Sequence, residues 1–266
     1  MENILEILDL GVEFRNPGQV SVAVKSAGFG VGAGETVVLA GESGSGKTVT
    51  ALAITRLLPQ GAHIVSGSVT FQRKDLLRLN EDELRPIRGK EISYVFQEPA
   101  SYLNPVFTVG SQIREVLALH QGLSGAGARA EVRRLLDAVK ISDPARVERS
   151  YPHQLSGGMN QRAFIAMALA CRPKLLIADE PTTSLDVTIE RQIIDLLTEL
   201  KRSMGFSLLF ITHNLAIARR IADRVVVMYQ GQVVEQGDTA RVFASPRHFH
   251  TRELIAAYEK IGRVAP

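Results

Sequence analysis

Residues 41–48 read GESGSGKT, and few eight-residue strings restrict a fold so severely. The pattern G-x-x-x-x-G-K-[ST] works as a turn between the end of a strand and the start of a helix. Both flanks are present. ETVVLA (35–40) is a short apolar run of the kind that fills a parallel sheet. A helix is predicted from about residue 46 to 58. Gly41, Gly44 and Gly46 permit backbone conformations that point several N–H groups inward, and Glu42, Ser43, Ser45 and Val49 lie in the same phosphate-facing turn. Those amides and the helix N-terminus cradle phosphates. Lys47 adds a point charge at the β- and γ-phosphates, and Thr48 offers a hydroxyl to Mg²⁺. The loop therefore predicts an α/β chain of the P-loop NTPase type.

The rest of the chain has the matching rhythm. Segments 4–14 and 22–31 alternate as strands about a turn at Asn16-Pro17-Gly18. SGSVTFQ and ISYVFQ read as further strands. From about 109 to 172 the character changes. VGSQIREVLALHQ, ARAEVRRLLDAVK and GGMNQRAFIAMALACR all have helical spacing, with SGAGA (124–128) as the most linker-like spot between helices. From 174 the strand–helix alternation returns: KLLIAD, then the helix VTIERQIIDLLTELKRSM, then SLLFIT, NLAIARRIA and VVVMYQ. This divides the chain into an ATP-binding core, 1–96 with 174–266, and an inserted segment, 97–173.

LLIADEP (175–181) supplies the acidic strand end that such a core needs. Ligands of open α/β sheets bind at the carboxyl ends of the strands. Asp179 is placed to hold Mg²⁺, and Glu180, one residue on, points elsewhere and polarises an attacking water. Gln97 ends ISYVFQ, where an amide senses both Mg²⁺ and that water. His213 ends SLLFIT, where an imidazole contacts the γ-phosphate.

YPHQLSGGMNQR (151–162) is the unexpected element. It is a second glycine-rich turn before a long apolar helix pattern, and it has no lysine. Taken in order, GESGSGKT, Gln97, LSGGMNQR, LLIADEP, Ser184-Leu185-Asp186 and His213 resemble the nucleotide-binding subunit of an ABC transporter, over about residues 5–260. The resemblance implies an ABC cassette with an N-terminal antiparallel β subdomain and an inserted helical signature subdomain. It implies ATP and Mg²⁺ as ligands and a head-to-tail pair of cassettes. Ser156, Gly157 and Gly158 of one then face the γ-phosphate held by the other's loop, with Asp186 at the interface. It makes Phe14 the candidate for stacking on adenine, with a core position as the alternative. The family commonly has Asp after its histidine, whereas this chain has Asn214.

Three segments resemble the peptide and nickel importers within that family: QEPASYLNPVFTVGSQI (97–113), YPHQLSGGM with ADEPTTSLDVT, and the tail GDTARVFASPRHFHTRELIAA. That implies two transmembrane permease subunits, a second ATPase subunit (a paralogue rather than an identical chain), an extracytoplasmic substrate-binding protein, and a place on the cytoplasmic face of the inner membrane. The chain has one cysteine, Cys171, and ends at Pro266, whereas longer peptide-importing members carry a cysteine-rich extension. On that ground the expectation leans towards nickel or metal-chelate cargo. His248 and His250 are read as solvated or packing residues rather than ligands.

Composition excludes the remaining classes. The net charge of +3 gives no basic footprint for nucleic acid. Cys171 alone forms no internal disulfide and is read as a small buried side chain. MENILEILDL is not a signal peptide, and no run reaches ~18 apolar residues. A DNA-repair ABC ATPase would separate its loop and signature by a long coiled coil or zinc insertion. Here Gly46 and Ser156 lie 110 positions apart (156 − 46) with no heptads and no C-x-x-C between them. A translation-associated member would need two tandem cassettes, and a generic P-loop kinase would lack LSGG.

Overall fold

The computed structural model describes residues 2–183 and 185–264. The chain forms two compact units, residues 1–84 with 207–266, and residues 85–206.

The first unit is built on a mixed sheet. Asn3–Asn16 (β1) and Gln19–Gly32 (β2) form the hairpin expected around Pro17-Gly18, and Ala62–Phe71 (β4) pairs antiparallel with β1. Thr36–Ala40 (β3), Ser207–Thr212 (β8) and Arg224–Tyr229 (β9) run parallel, and Gln232–Asp238 (β10) returns antiparallel on β9. With the short Lys74–Asp75 (β5), the order in this unit is β5-β4-β1-β2-β10-β9-β3-β8. Strands β3 and β8 are buried at every residue. A strand covered on both faces has no polar alternation, which is why ETVVLA and SLLFIT read as unbroken apolar runs. Lys47–Ile54 (α1), Leu215–Ile221 (α9), Thr239–Ala244 (α10) and Phe249–Val264 (α11) are the longer helices of this unit.

α1 ends at Ile54, four residues before the expected boundary at 58. Arg56 adopts φ 54°, and Pro59 follows. A left-handed residue breaks the ladder, and a proline two or three positions on cannot rejoin it.

The second unit carries a two-stranded parallel pair, Ile92–Val95 (β6) and Leu175–Asp179 (β7), together with helices. The main ones are Val109–Gln121 (α4), Gly125–Ala138 (α5), Pro144–Arg149 (α6), Gly157–Leu169 (α7) and Val187–Met204 (α8). SGAGA does not form a linker. Gly122 in left-handed conformation caps α4, Ser124 precedes α5, and the helix already begins at Gly125. On α8 the buried residues Ile193, Ile194, Leu196, Leu197 and Leu200 form one apolar stripe with charges opposite.

One buried carboxylate ties the helices together. Glu148 of α6 accepts from Arg114 Nη1 of α4 at 3.0 Å and from Arg133 Nε of α5 at 2.9 Å. Among the described residues no helix is long and apolar enough to cross a membrane.

Phe210 is fully buried at the centre of β8. Phe210→Ala is expected to lower unfolding stability by about 3–5 kcal/mol, read as a shift in the midpoint of urea denaturation with an unchanged slope.

Candidate functional site

In the first unit, register decides what gathers at the sheet edge. Ala40 of β3 pairs with Thr212 of β8 and with Val227 of β9. The next residues along each strand are therefore Gly41, His213 and Met228. Three parallel strands deliver the start of the phosphate loop, the predicted histidine and a supporting methionine to one edge.

The loop has the geometry its glycines require. Gly44 and Gly46 adopt φ 77° and 102°, and Gly46 is the left-handed cap of α1. A Cβ at Gly41 would stand 2.3 Å from the Met228 carbonyl oxygen, and one at Gly46 would stand 2.8 Å from the Ala23 carbonyl oxygen. Left-handed glycines on either side of Ser45 turn backbone N–H groups towards one concavity, which suits an anion. Lys47 is only 5% exposed, and its Nζ donates to the carbonyl oxygens of Gly41 (2.8 Å) and Glu42 (2.7 Å). Thr50 closes the first turn of α1, its hydroxyl and its N–H both donating to the Gly46 carbonyl at 2.9 Å. Ser45 Oγ is buried without a hydrogen-bond partner in the protein, as a donor reserved for a phosphate oxygen would be. Thr48 lies on the exposed side of α1, while Glu42 and Ser43 are exposed at the tip of the turn and Val49 is half-buried.

Phe14 lies two residues past Val12 on β1, which is regular over 12–14, and so shares its face. Val12 pairs with Val24, but Glu13 pairs with Val22, so Ala23 is an extra residue in β2. Across that bulge the faces of β2 exchange. Phe14 stays on the face of Val12, whose partner Val24 has its side chain beside Gly46. Phe14 is half-buried. Asn214 takes the place where the family has Asp and caps α9, its Oδ1 accepting from the Ala216 N–H at 2.9 Å. The amide oxygen performs the capping that a carboxylate would. His213 is exposed at the edge.

The residues that sequence reasoning overlooked are behind the loop. Met228 Sδ accepts from the Thr50 hydroxyl at 3.7 Å, and the Gly231 N–H donates to the Ser45 carbonyl at 3.1 Å. Gln230 and Gly231, at φ 46° and 78°, form the tight turn between β9 and β10. The Gln-Gly pair after VVVMY was the available signal.

In the second unit the same logic applies to β6 and β7. Val95 pairs with Ala178, so Gln97, Asp179 and Glu180 leave from one edge. Asp179 closes β7 and is buried, whereas Gln97 is exposed. Glu180 adopts φ 43°, and Thr183 Oγ1 donates to its Oε2 at 2.8 Å. That left-handed backbone costs about 1–2 kcal/mol.

The signature turn is an N-cap. Ser156 Oγ accepts from the Met159 N–H at 3.3 Å, and both Ser156 and Gly157 are exposed. A Cβ at Gly158 would stand 3.1 Å from Ile189 of α8. The start of α7 opens on a cleft of about 500 Å³ lined by Ser156, Gly158, Arg162, Leu185 and Asp186. Arg162 is tied to the Val139 carbonyl and to Gln192, and burial pulls its guanidinium below the ordinary arginine value. Ser184 lies outside the described residues, and Asp186 stands exposed as the N-cap of α8.

The remaining candidates are packing residues. Cys171 is buried, and that burial pushes its thiol up. His250 is buried against Tyr229. Among the described residues no group of three or more His, Cys, Asp and Glu side chains is placed to hold a metal ion.

A family model described as ABC transporter matches residues 24–183. The chain belongs to the ABC transporter family. Over 97% of its length it is 52% identical to the peptidoglycan transport ATP-binding protein YejF of Agrobacterium fabrum, covering 47% of that protein. Over 98% of its length it is 47% identical to the glutathione import ATP-binding protein GsiA of Escherichia coli, covering 43% of that protein. The chain thus spans less than half the length of these relatives. A dimeric post-hydrolysis structure of the ATP-binding cassette MJ0796 with ADP and Pi superposes with a TM-score of 0.79 at 28% identity, over 88% of this chain and 98% of that one. The cassette cbiO1 of Clostridium perfringens gives 0.77 at 27%, over 99% of each chain. The ABC cassette here has the α/β P-loop NTPase fold.

Gly41→Ala places a methyl group against the Met228 carbonyl. Loss of binding of a fluorescent ATP analogue, with the α/β circular dichroism retained, is the expected result.

Proposed function

We propose that this ABC cassette binds MgATP and hydrolyses it as one half of a head-to-tail pair, and that closing and resetting of the pair drives an importer. One observation carries the reading: the chain has a lysine-bearing phosphate loop and, elsewhere, an exposed helix N-terminus with glycines and no lysine. Ser156 caps α7 at a cleft open to a partner. A helix N-terminus offers about half a unit of positive charge. That suffices to sense a γ-phosphate whose main countercharge is Lys47 of the other cassette. The dimeric state of the MJ0796 cassette supports the pairing.

The residues divide the work by chemistry. The loop amides from Gly41 to Thr48 and the Lys47 ammonium hold the phosphates, and Phe14 offers a ring face to adenine. Thr48, Gln97 and Asp179 provide hydroxyl, amide and carboxylate oxygens, the hard donors that Mg²⁺ takes. When bound, Mg²⁺ would neutralise charge on the phosphates. Glu180 orients and polarises the attacking water, with His213 at the γ-phosphate. Catalysis is mainly positioning and charge stabilisation. Residues 97–173 act as the Q-loop and signature subdomain beside a core of 1–96 and 174–266.

The segment 97–113 fits the surface that receives a permease. Gln112 is buried and fastens the loop from within, accepting from the Asn104 N–H and donating to the Asn104 and Phe107 carbonyls. Tyr102, Val106 and Phe107 are left exposed. Two permease subunits, a paralogous second cassette and an extracytoplasmic binding protein complete the system, on the cytoplasmic face of the inner membrane. The names of the relatives speak of peptidoglycan and glutathione. They shift the cargo from the nickel or metal chelate suggested by the lack of further cysteines to a peptide-like compound.

Two substitutions test this reading. Glu180→Gln should retain ATP affinity while hydrolysis falls by roughly 100-fold or more, and the protein should sediment as a dimer with MgATP. Near-normal turnover removes Glu180 from the role of base. Ser156→Arg should abolish hydrolysis while leaving nucleotide binding by the same chain intact, since the serine serves the other cassette's ATP. Equilibrium binding and phosphate release separate the two effects.

A further inference from the structure

The tail segment RHFH (247–250) was read above as packing, but it packs against one particular place. Tyr229 is the last residue of β9, and the His250 ring lies on it with centroids 4.1 Å apart and planes 33° apart. Phe249 meets Tyr229 edge-on at 5.7 Å. The segment is held there from below. The Arg247 and His248 N–H groups donate to the two carboxylate oxygens of Glu235, at 2.8 and 3.0 Å, and His248 Nδ1 accepts from the His250 N–H at 3.3 Å. Burial pushes the Glu235 carboxyl up, but the Arg247 and His248 amides, together with Thr251 and the His248 ring, hold it below the ordinary carboxylate value. The group is a fixed anion clamping a tight turn.

Tyr229 connects that clamp to the phosphate loop. One residue before it, Met228 presents its carbonyl to Gly41 and its sulfur to Thr50. Two residues after it, the Gly231 N–H reaches the Ser45 carbonyl, while the Gly231 carbonyl accepts from the Lys25 N–H at 2.7 Å. The β9–β10 turn is therefore the back wall of the phosphate loop, and the tail covers the outer side of that wall.

We infer that His250 is a positioning residue for nucleotide binding: by stacking on Tyr229 it fixes the β9–β10 turn, and through Met228 and Gly231 it holds Gly41 and Ser45 where the phosphates need them. This rests on the loop binding ATP as proposed above. The ring acts through its face. Its Nε2 is buried without a hydrogen-bond partner, and its Nδ1 lies 3.9 Å from the exposed Glu253 carboxylate, too far for a hydrogen bond. An aromatic ring without nitrogens should therefore serve as well, since it removes a buried unsatisfied group.

The experiment uses the full chain with a fluorescent ATP analogue and Mg²⁺. His250→Ala should weaken binding by roughly 3- to 10-fold, as loss of an aromatic pair predicts, and raise KM for ATP with little change in kcat. Hydrogen exchange should quicken at the amides of residues 41–47 and stay unchanged in β6 and β7. His250→Phe should restore both affinity and protection. Wild-type affinity in His250→Ala overturns the inference while leaving ATP binding standing. So does a His250→Phe variant as weak as His250→Ala, which would give the role to the imidazole nitrogens. A wild-type chain that fails to bind the analogue, with Lys47→Ala as the control for loop-dependent binding, overturns the ATP reading and this inference with it.

Discussion

The structure depends on one close approach: the backbone of the phosphate loop lying against the Met228 carbonyl at Gly41 and the Ala23 carbonyl at Gly46. No side chain fits at either place, so the loop is defined as much by what is missing as by what is present. Everything proposed to touch a phosphate follows from it. Once the backbone is that close, its N–H groups turn into one concavity, Lys47 bends over the rim to the Gly41 and Glu42 carbonyls, and α1 starts with its N-terminus aimed inward. The two carbonyls that crowd the glycines belong to β9 and β2, so the flanking strands set the shape of the loop along with its own sequence.

Parallel pairing then places the other polar groups without any need for long-range recognition. In the first unit, equal register across β8, β3 and β9 brings His213, Gly41 and Met228 to one edge. In the second, β6 and β7 do the same for Gln97, Asp179 and Glu180. The apolar bodies of these strands supply the burial, and only the residue past the last apolar position is free to be chemical. This is why each candidate sits immediately after a hydrophobic run.

That arrangement also explains what could be read in advance. Buried strands and amphipathic helices announce themselves by period, and KLLIAD, SLLFIT and the helix 187–204 appear in the structure at or within one residue of where they read. Local chemistry that departs from period was harder to read. The early stop of α1 depends on a left-handed Arg56, a choice no propensity forces. The glycines of SGAGA look like a linker because glycine weakens helices, yet the packing of Val132, Leu135 and Leu136 carries the helix back to Gly125. The bulge opposite Phe14 was beyond alternation, since it turns on one surplus residue, Ala23, in the opposing strand. The supporting role of Met228 was hidden for a similar reason. It acts through its backbone carbonyl, and a carbonyl carries no signature in the sequence.

Lys47 has a consequence for how tightly such a loop grips. At 5% exposure, with its ammonium bonded to two carbonyls, it has lost its bulk hydration and its rotational freedom before any anion arrives. A free lysine carries about 2 kcal/mol of rotamer entropy. Here that loss falls on folding rather than on association, so the charge is preorganised. In the proposed function, an arriving phosphate would exchange one set of oxygen contacts for another around an ammonium that hardly needs to move. Release is correspondingly undemanding, because the carbonyls take the ammonium back. A cassette that, as proposed, releases its product on every cycle would be served better by that exchange than by a stronger, slower hold.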